Sequence, residues 1–389
     1  MIFANSILSR RFGRITPSRP TKNMPAKPIT NTQQLISYKQ IIGQPILQNI
    51  QELYQKFTSP LVLPDDLEWS QQDMTPQDVY TLINNHMFSL FYFDLEYVEA
   101  LFKYASLKNI MLGIRDKKTR EIIGFVLKTS TRVYFSGSQS TESLGIIEEI
   151  CLHKKWRKRR LTPLLIDECL RRFCNDPNNT GEISGIFNTT KTPGMKPLFQ
   201  YNLYSRKLQP CDTIMTRDFV PFSMEHAEDA FEFYSNYAKK NWKIYLYFSN
   251  ADEFYHYFKS NPKVTYSVVV YDEGRNKENK KKITFFANFF LQPKFLYTKG
   301  VQSKVALLHT FACARENPCE DLEQLFLHLG NENYNGFNCY NIMGINTHTK
   351  KLKLISQGNG NNYLYFYNRD TKITNDEWGF TAISNYGFN

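Results

Sequence analysis

From about residue 75 onward, the apolar residues of this 389-residue chain alternate between a helical spacing and a strand spacing, and they run through the same order twice. In the first pass, Pro76 to Asn85 and Leu95 to Tyr104 read as helices. Asn109 to Arg115 and Glu121 to Lys128 read as strands joined by the charged turn Asp116 to Arg120. A polar loop, Ser136 to Ser143, leads to the apolar strand Leu144 to Leu152, a basic turn and the amphipathic helix Pro163 to Phe173. The second pass has helices over Met224 to Ala238 and Asn250 to Phe258, strands over Thr265 to Tyr271 and Lys282 to Leu291, and a helix over Cys319 to Leu329. Such alternation predicts an α/β chain of two similarly built halves, joined near residues 205 to 220 and without residue-level repetition. The halves are taken as residues 38–210 and 211–389, after a tail of residues 1–37.

Charge separates the tail from the body. Residues 1–51 hold seven Lys or Arg and no Asp or Glu, which leaves 41 basic against 37 acidic residues in the remainder of a chain with net charge +11. Charge gathered in a tail suits an address or a tether to an anionic surface, and argues against a nucleic-acid groove built into the fold. The Arg-rich, acid-free tail fits a mitochondrial presequence, and equally a disordered basic extension that touches ribosomes or a membrane surface. Seven cysteines, an odd number without a Cys-x-x-Cys pair, do not look like a disulfide framework, so a reducing, cytoplasmic setting is expected. No run of about 18 apolar residues offers a membrane span. No His or Cys group has metal-ligand spacing, so no metal is expected.

The segment richest in chemistry is Leu144 to Phe173. Its strand ends in Cys151, Leu152 and His153, followed by Lys154, Lys155, Trp156, Arg157, Lys158, Arg159 and Arg160 before the next helix. In isolation such a run is a solvated basic turn or a nuclear-localisation patch. Set between a strand and a helix start it becomes an anion site, because unpaired backbone N–H groups and the helix dipole both favour negative charge. Arginine and lysine side chains there suit phosphate groups, such as the pyrophosphate and 3′-phosphate of coenzyme A.

The run Ile147 to Arg160 resembles the first signature of the N-myristoyltransferase family, Glu-Ile-Asn-Phe-Leu-Cys-x-His-Lys followed by Lys-x-Arg-x-Lys-Arg. Cys151, His153, Lys154, Lys155, Arg157, Arg159, Arg160 and Pro163 fall in register, with a conservative Ile150. Leu63-Pro64 to Trp69, Tyr80 to Asn84, Phe91 to Asp94 and Gly124-Phe125 are similar to further family motifs in the same order. So are Phe286 to Pro293, Gly358 to Asn361 with Tyr363 to Asn368, and, before them all, Tyr38 to Pro45. The likeness covers about residues 38 to 389.

The resemblance implies two tandem acetyltransferase-like halves sharing a saddle-shaped mixed sheet flanked by helices. The first half would bind myristoyl-CoA as co-substrate, with no permanently bound cofactor, and the second would bind the acceptor peptide. The implied activity is transfer of myristoyl to the N-terminal glycine amine of proteins; the alternative is a pseudoenzyme that keeps an acyl-CoA or peptide pocket as a binding module. By the same resemblance the backbone amides of Glu149 and Ile150 form an oxyanion hole, the C-terminal carboxylate of Asn389 is the base, and Asn188 or Thr189 accepts a hydrogen bond from the amine. Co-substrate contacts fall on Tyr38, Cys151, His153, Lys155, Arg157, Lys158, Arg159, Arg160, Thr162 and Pro163. Partners are then myristoyl-CoA and N-terminal-glycine peptides, with no nucleic acid, and the protein is expected to be a monomer. The chain departs from the family where Glu148 and Glu149 replace Asn and Phe, and where the acidic loop between His86 and Phe91 is absent, so its acceptor preference should differ.

Overall fold

The computed structural model describes residues 58–86, 94–108, 110–176, 184–189, 199–261, 264–275, 281–296, 301–340, 345, 348–356, 362–367 and 378–379. The basic tail, Tyr38, Asn389, Thr190 and the Gly358 to Asn361 motif lie outside them.

A short strand, β1 (Leu67–Ser70), leads into α1 (Pro76–His86), whose start is written in the sequence. The Thr75 hydroxyl accepts the Asp78 N–H at 3.2 Å, and the Asp78 carboxylate accepts the Thr75 N–H at 2.9 Å, a reciprocal cap ahead of Pro76 at the first helical position. Val79, Leu82 and Ile83 recur on one face and are buried. Helix α2 (Leu95–Lys108) follows, and then three antiparallel strands, β2 (Ile110–Asp116), β3 (Ile122–Phe135) and β4 (Ser140–Leu152). Helix α3 (Leu161–Asn175) carries the chain over to β5 (Ser184–Thr189), which lies parallel to β4.

After β6 (Phe199–Tyr201) and β7 (Leu203–Lys207) the plan starts again. A short strand, β8 (Phe219–Pro221), precedes α4 (Ala227–Asn241), β9 (Ile244–Leu246) and α5 (Ala251–Phe258). Antiparallel β10 (Thr265–Arg275), β11 (Lys281–Leu296) and β12 (Val301–Cys313) lead through α6 (Cys319–Asn331) to β13 (Gly336–Tyr340), parallel to β12. Two strands close the described chain, β14 (Ile355–Ser356) and β15 (Asn362–Tyr367).

These strands make two sheets, in the orders β1-β2-β3-β4-β5-β15-β6, with β9 also pairing β3, and β14-β7-β13-β12-β11-β10-β8. The mixed α/β architecture is the expected one. The sheets also trade strands: β15, from the end of the chain, lies beside β5 in the first sheet, and β7 lies beside β13 in the second. Together with β9 on β3, these pairings cross any division drawn at residue 210.

Sequence and structure differ in two instructive places. Ser140 to Ser143, read as loop for their polarity, extend β4 because β3 runs on to Phe135 and offers them backbone partners. The helix expected from Met224 begins as a 3₁₀ turn, where Ser223 and His226 cap each other, and becomes α-helical at Ala227. The second-half core is aromatic: Tyr234, Phe254, Phe258, Phe285, Phe286 and Phe289 are all at most 1% exposed.

Candidate active site

The parallel strands β4 and β5 part company. They pair at Leu144 with Ser184, Gly145 with Gly185 and Ile146 with Ile186, and there the pairing ends. Beyond it β5 stays with β15, Phe187 opposite Tyr365, Asn188 opposite Leu364 and Thr189 opposite Tyr363, while β4 stays with β3. Among the described residues nothing pairs with β4 on its β5 side past Ile146, so the two strands open a wedge. On the β3 side of the same stretch, Leu127 faces Glu149 and Lys128 faces Ile147, which leaves Glu148 as the extra residue of a β-bulge. A bulge re-aims the backbone next to it and leaves one residue outside the ladder.

Four residues singled out from the sequence therefore meet. Glu149 and Ile150 lie on one arm of the wedge just past the bulge, and Asn188 and Thr189 lie on the other. The Glu149 and Ile150 side chains are buried, so what these residues can offer to the wedge is main chain. The Glu149 carboxylate lies near Cys151, and burial, with that charge added, pushes the Cys151 thiol up to about 12. Cys151 Sγ points at the Leu82 carbonyl of α1, 3.8 Å away, and is packed in the core.

The basic turn follows at once. Lys154–Trp156 form a single 3₁₀ turn capped by His153, whose Nδ1 accepts the Lys155 N–H at 3.1 Å. Lys158 and Arg160 both take left-handed backbone, φ 72° and 60°, a conformation that costs a non-glycine residue on the order of 1 kcal/mol and collects at functional sites. Arg160 is the N-cap of α3 and makes no side-chain cap bond. Of the described helices, α3 is also the one with no acidic residue in its first turn; the others have Asp78, Glu96, Glu228 and Asp229, Asp252 and Glu253, and Glu320 and Asp321. The N–H groups of Leu161 and Thr162 thus open the helix right after the cations of the basic turn and with no acidic residue in its first turn, while Pro163, at the third helical position, has no N–H to leave unpaired.

The cations of the turn divide into two kinds. Arg157 is half-buried and its guanidinium binds carbonyls, Nε to Leu152 O at 3.1 Å and Nη2 to His86 O, so it braces the turn against α1. Lys154, Lys155, Lys158, Arg159 and Arg160 are exposed. Arg159 lies over the Trp156 ring at 4.4 Å and has a loose 3.9 Å pairing with Asp66, an exposed contact worth little. Reading the sequence did not single out His86, whose ring meets that of His153 at a tilt of 46° with centroids 3.7 Å apart. Nothing local could have revealed it, since 67 residues separate the two.

Comparisons with known proteins place the chain near one family. A family model described as myristoyl-CoA:protein N-myristoyltransferase, N-terminal domain, matches residues 46–190, the stretch that holds the wedge and the basic turn. The glycylpeptide N-tetradecanoyltransferase of Dictyostelium discoideum is 24% identical over 361 residues, covering 82% of this chain and 83% of the relative. That of Kluyveromyces lactis is 25% identical over 299 residues, 66% of this chain and 62% of the relative. Among solved structures, Saccharomyces cerevisiae N-myristoyltransferase with bound myristoyl-CoA shares the fold with a TM-score of 0.68 at 20% identity, over 84% of both chains.

Proposed function

We propose that this chain, which belongs to the myristoyl-CoA:protein N-myristoyltransferase family, transfers a myristoyl group from coenzyme A to the N-terminal glycine amine of other proteins. The observation that carries the reading is the wedge between β4 and β5, with a bulge at Glu148 on one arm and, a few residues on, a helix start that lacks any internal anion.

In the proposed reaction the coenzyme A phosphates sit at the N-terminus of α3, against the amides of Leu161 and Thr162 and the side chains of Lys155, Lys158, Arg159 and Arg160, with Pro163 packing beside them without a donor. Arg157 holds the frame on which those groups stand. The thioester lies in the wedge, where the amides of Glu149 and Ile150 receive the negative charge that develops on the carbonyl oxygen. Donors that are main chain tolerate the unusual side chains at 148 and 149. The glycine amine enters from the Asn188 and Thr189 arm and attacks the carbonyl; the C–N bond forms, the C–S bond breaks, and coenzyme A leaves as its thiolate. The proton lost by the amine, with a reference pKa near 8, passes to the C-terminal carboxylate, here that of Asn389, and Tyr38 contributes to the co-substrate site. Support for that base is the docking of Gly379 between the sheets, its N–H on Ile244 O at 2.8 Å and its carbonyl on Thr310 Oγ1 at 2.6 Å.

A cytoplasmic monomer is part of the proposal, as is contact of the acid-free tail with a ribosome or membrane surface, or its use as a mitochondrial address. Main-chain donors that survive substitution favour a working enzyme over a pseudoenzyme. The decisive test is mass spectrometry after incubation with myristoyl-CoA and a peptide that begins with glycine. One myristoyl group should appear on that peptide and none on its N-acetylated twin; binding of myristoyl-CoA without transfer would mean a binding module instead.

A further inference from the structure

His153 is tied down on every side. Its N–H donates to Ile123 O at 2.7 Å, its carbonyl accepts the Trp156 N–H at 3.0 Å, and its Nδ1 accepts the Lys155 N–H at 3.1 Å. A ring nitrogen accepts only when it carries no proton, so this bond holds His153 neutral, with its hydrogen on Nε2. From α1 the His86 ring presses on it at 3.7 Å, with a buried Nδ1 that has no hydrogen-bond partner. Glu121, from the turn before β3, and Lys154, Lys155 and Arg157 of its own turn complete the charges that face it. Burial first, and then the neighbouring cations, hold His153 below its ordinary range; the same causes, with His153 itself, bring His86 down to about 4.

We propose that His153 is a positioning residue of the phosphate site: as a neutral imidazole it caps the basic turn, and on protonation it lets the turn go and weakens polyphosphate binding. The proposal rests on the acyl-CoA reading above. Protonated Nδ1 would point an N–H at the Lys155 N–H, leaving that amide without its acceptor, and would add a cation beside His86, Lys154, Lys155 and Arg157. Charge alone predicts the reverse, since an extra positive group beside the site should tighten the hold on an anion. The geometry therefore commits to a sign that simple electrostatics does not.

The test is calorimetric titration of the full chain with coenzyme A between pH 8 and pH 5.5, for wild type, His153→Asn and His153→Ala. An Asn oxygen accepts an N–H two residues ahead, as in an Asx turn, and does not titrate. All three proteins share whatever loss comes from protonation of the 3′-phosphate, whose second pKa is near 6. Beyond it, wild-type affinity should fall further as the pH approaches 5.5, by less than the tenfold that a group of ordinary imidazole range would give, because His153 is held below that range, while His153→Asn shows only the shared loss. His153→Ala should be about tenfold weaker at pH 8 and no steeper than Asn. A His153→Asn profile that follows wild type, or wild-type affinity that rises on acidification, overturns the proposal. Wild type that binds no coenzyme A at pH 8 would overturn the acyl-CoA reading itself, and this inference with it.

Discussion

In the first half β4 leaves β5 after Ile146 and carries its bulge at Glu148; in the second half β12 leaves β13 after Leu307 and carries its bulge at His309. The plan is the same to the residue, and the two openings have opposite fates. At the second, His309 is fully buried, with Nδ1 paired to Asn288 Oδ1 at 3.0 Å, and Thr310 holds the Gly379 carbonyl beside a fully buried Trp378. The helix that follows, α6, supplies its own anions: Asp321 takes Arg217 at 3.3 Å and Arg315 at 3.8 Å, and Glu320 pairs with Arg315. In the first half, among the described residues, no strand covers β4 on its β5 side past Ile146 and the first turn of α3 carries no acid. One half of a shared plan thus leaves open the wedge and helix start that the proposed function uses, and the other packs them with its own side chains.

Breaking the filled half should cost most. Trp378→Ala empties a fully buried site in the seam and should destabilise the fold by about 3–5 kcal/mol, read by chemical denaturation, while the protein that remains folded still binds myristoyl-CoA. Gly379 belongs to the same seal, because a Cβ there would come within 2.1 Å of the Trp242 ring. If Trp378→Ala abolished myristoyl-CoA binding by folded protein, the division of labour between the halves would be wrong.

Making the open half resemble the filled one is the next largest change. Thr162→Glu with Pro163→Asp gives α3 the acidic first turn that α6 has, and should weaken coenzyme A binding by about 2–3 kcal/mol without lowering thermal stability. Unchanged affinity would mean the phosphates lie elsewhere. A finer cut separates the cations of the turn. Lys158→Gln with Arg159→Gln should weaken coenzyme A binding by about 1–3 kcal/mol with the melting temperature kept. Arg157→Ala should lower the melting temperature as well, since its guanidinium holds the carbonyls of Leu152 and His86; equal melting temperatures for the two variants would erase the distinction.

The smallest effect is graded and belongs to both halves. His309 is held down to about 3 and His86 to about 4 by burial, both below the ordinary imidazole value of 6.5. Their neutral forms stabilise the fold fully above pH 6.5. As the pH falls from 6.5 towards 4, and for His309 towards 3, the unfolded chain binds protons that the native one does not, and stability drains away. Each imidazole contributes a slope of at most ~1.4 kcal/mol per pH unit. His309→Gln should flatten that slope in a urea titration series; an unaltered slope would show that His309 is not among the groups responsible.

Residues close in sequence told their story early. The helix-and-strand grammar from residue 75 and the basic run after β4 follow from periodicity and local chemistry, which act over a few residues. The basic run pointed to a candidate anion site but could not sort its members, because Arg157 and Lys158 look equivalent until the Leu152 and His86 carbonyls are in place. Tertiary structure alone decided which strands trade sheets, why β4 and β5 part after Ile146, and which of the two openings stays open. Those outcomes rest on pairings such as His86 with His153, Thr310 with Gly379 and β15 with β5, between segments far apart in the chain. A backbone N–H or C=O is the same at every residue, so only folding can determine which of them remain free to meet a substrate.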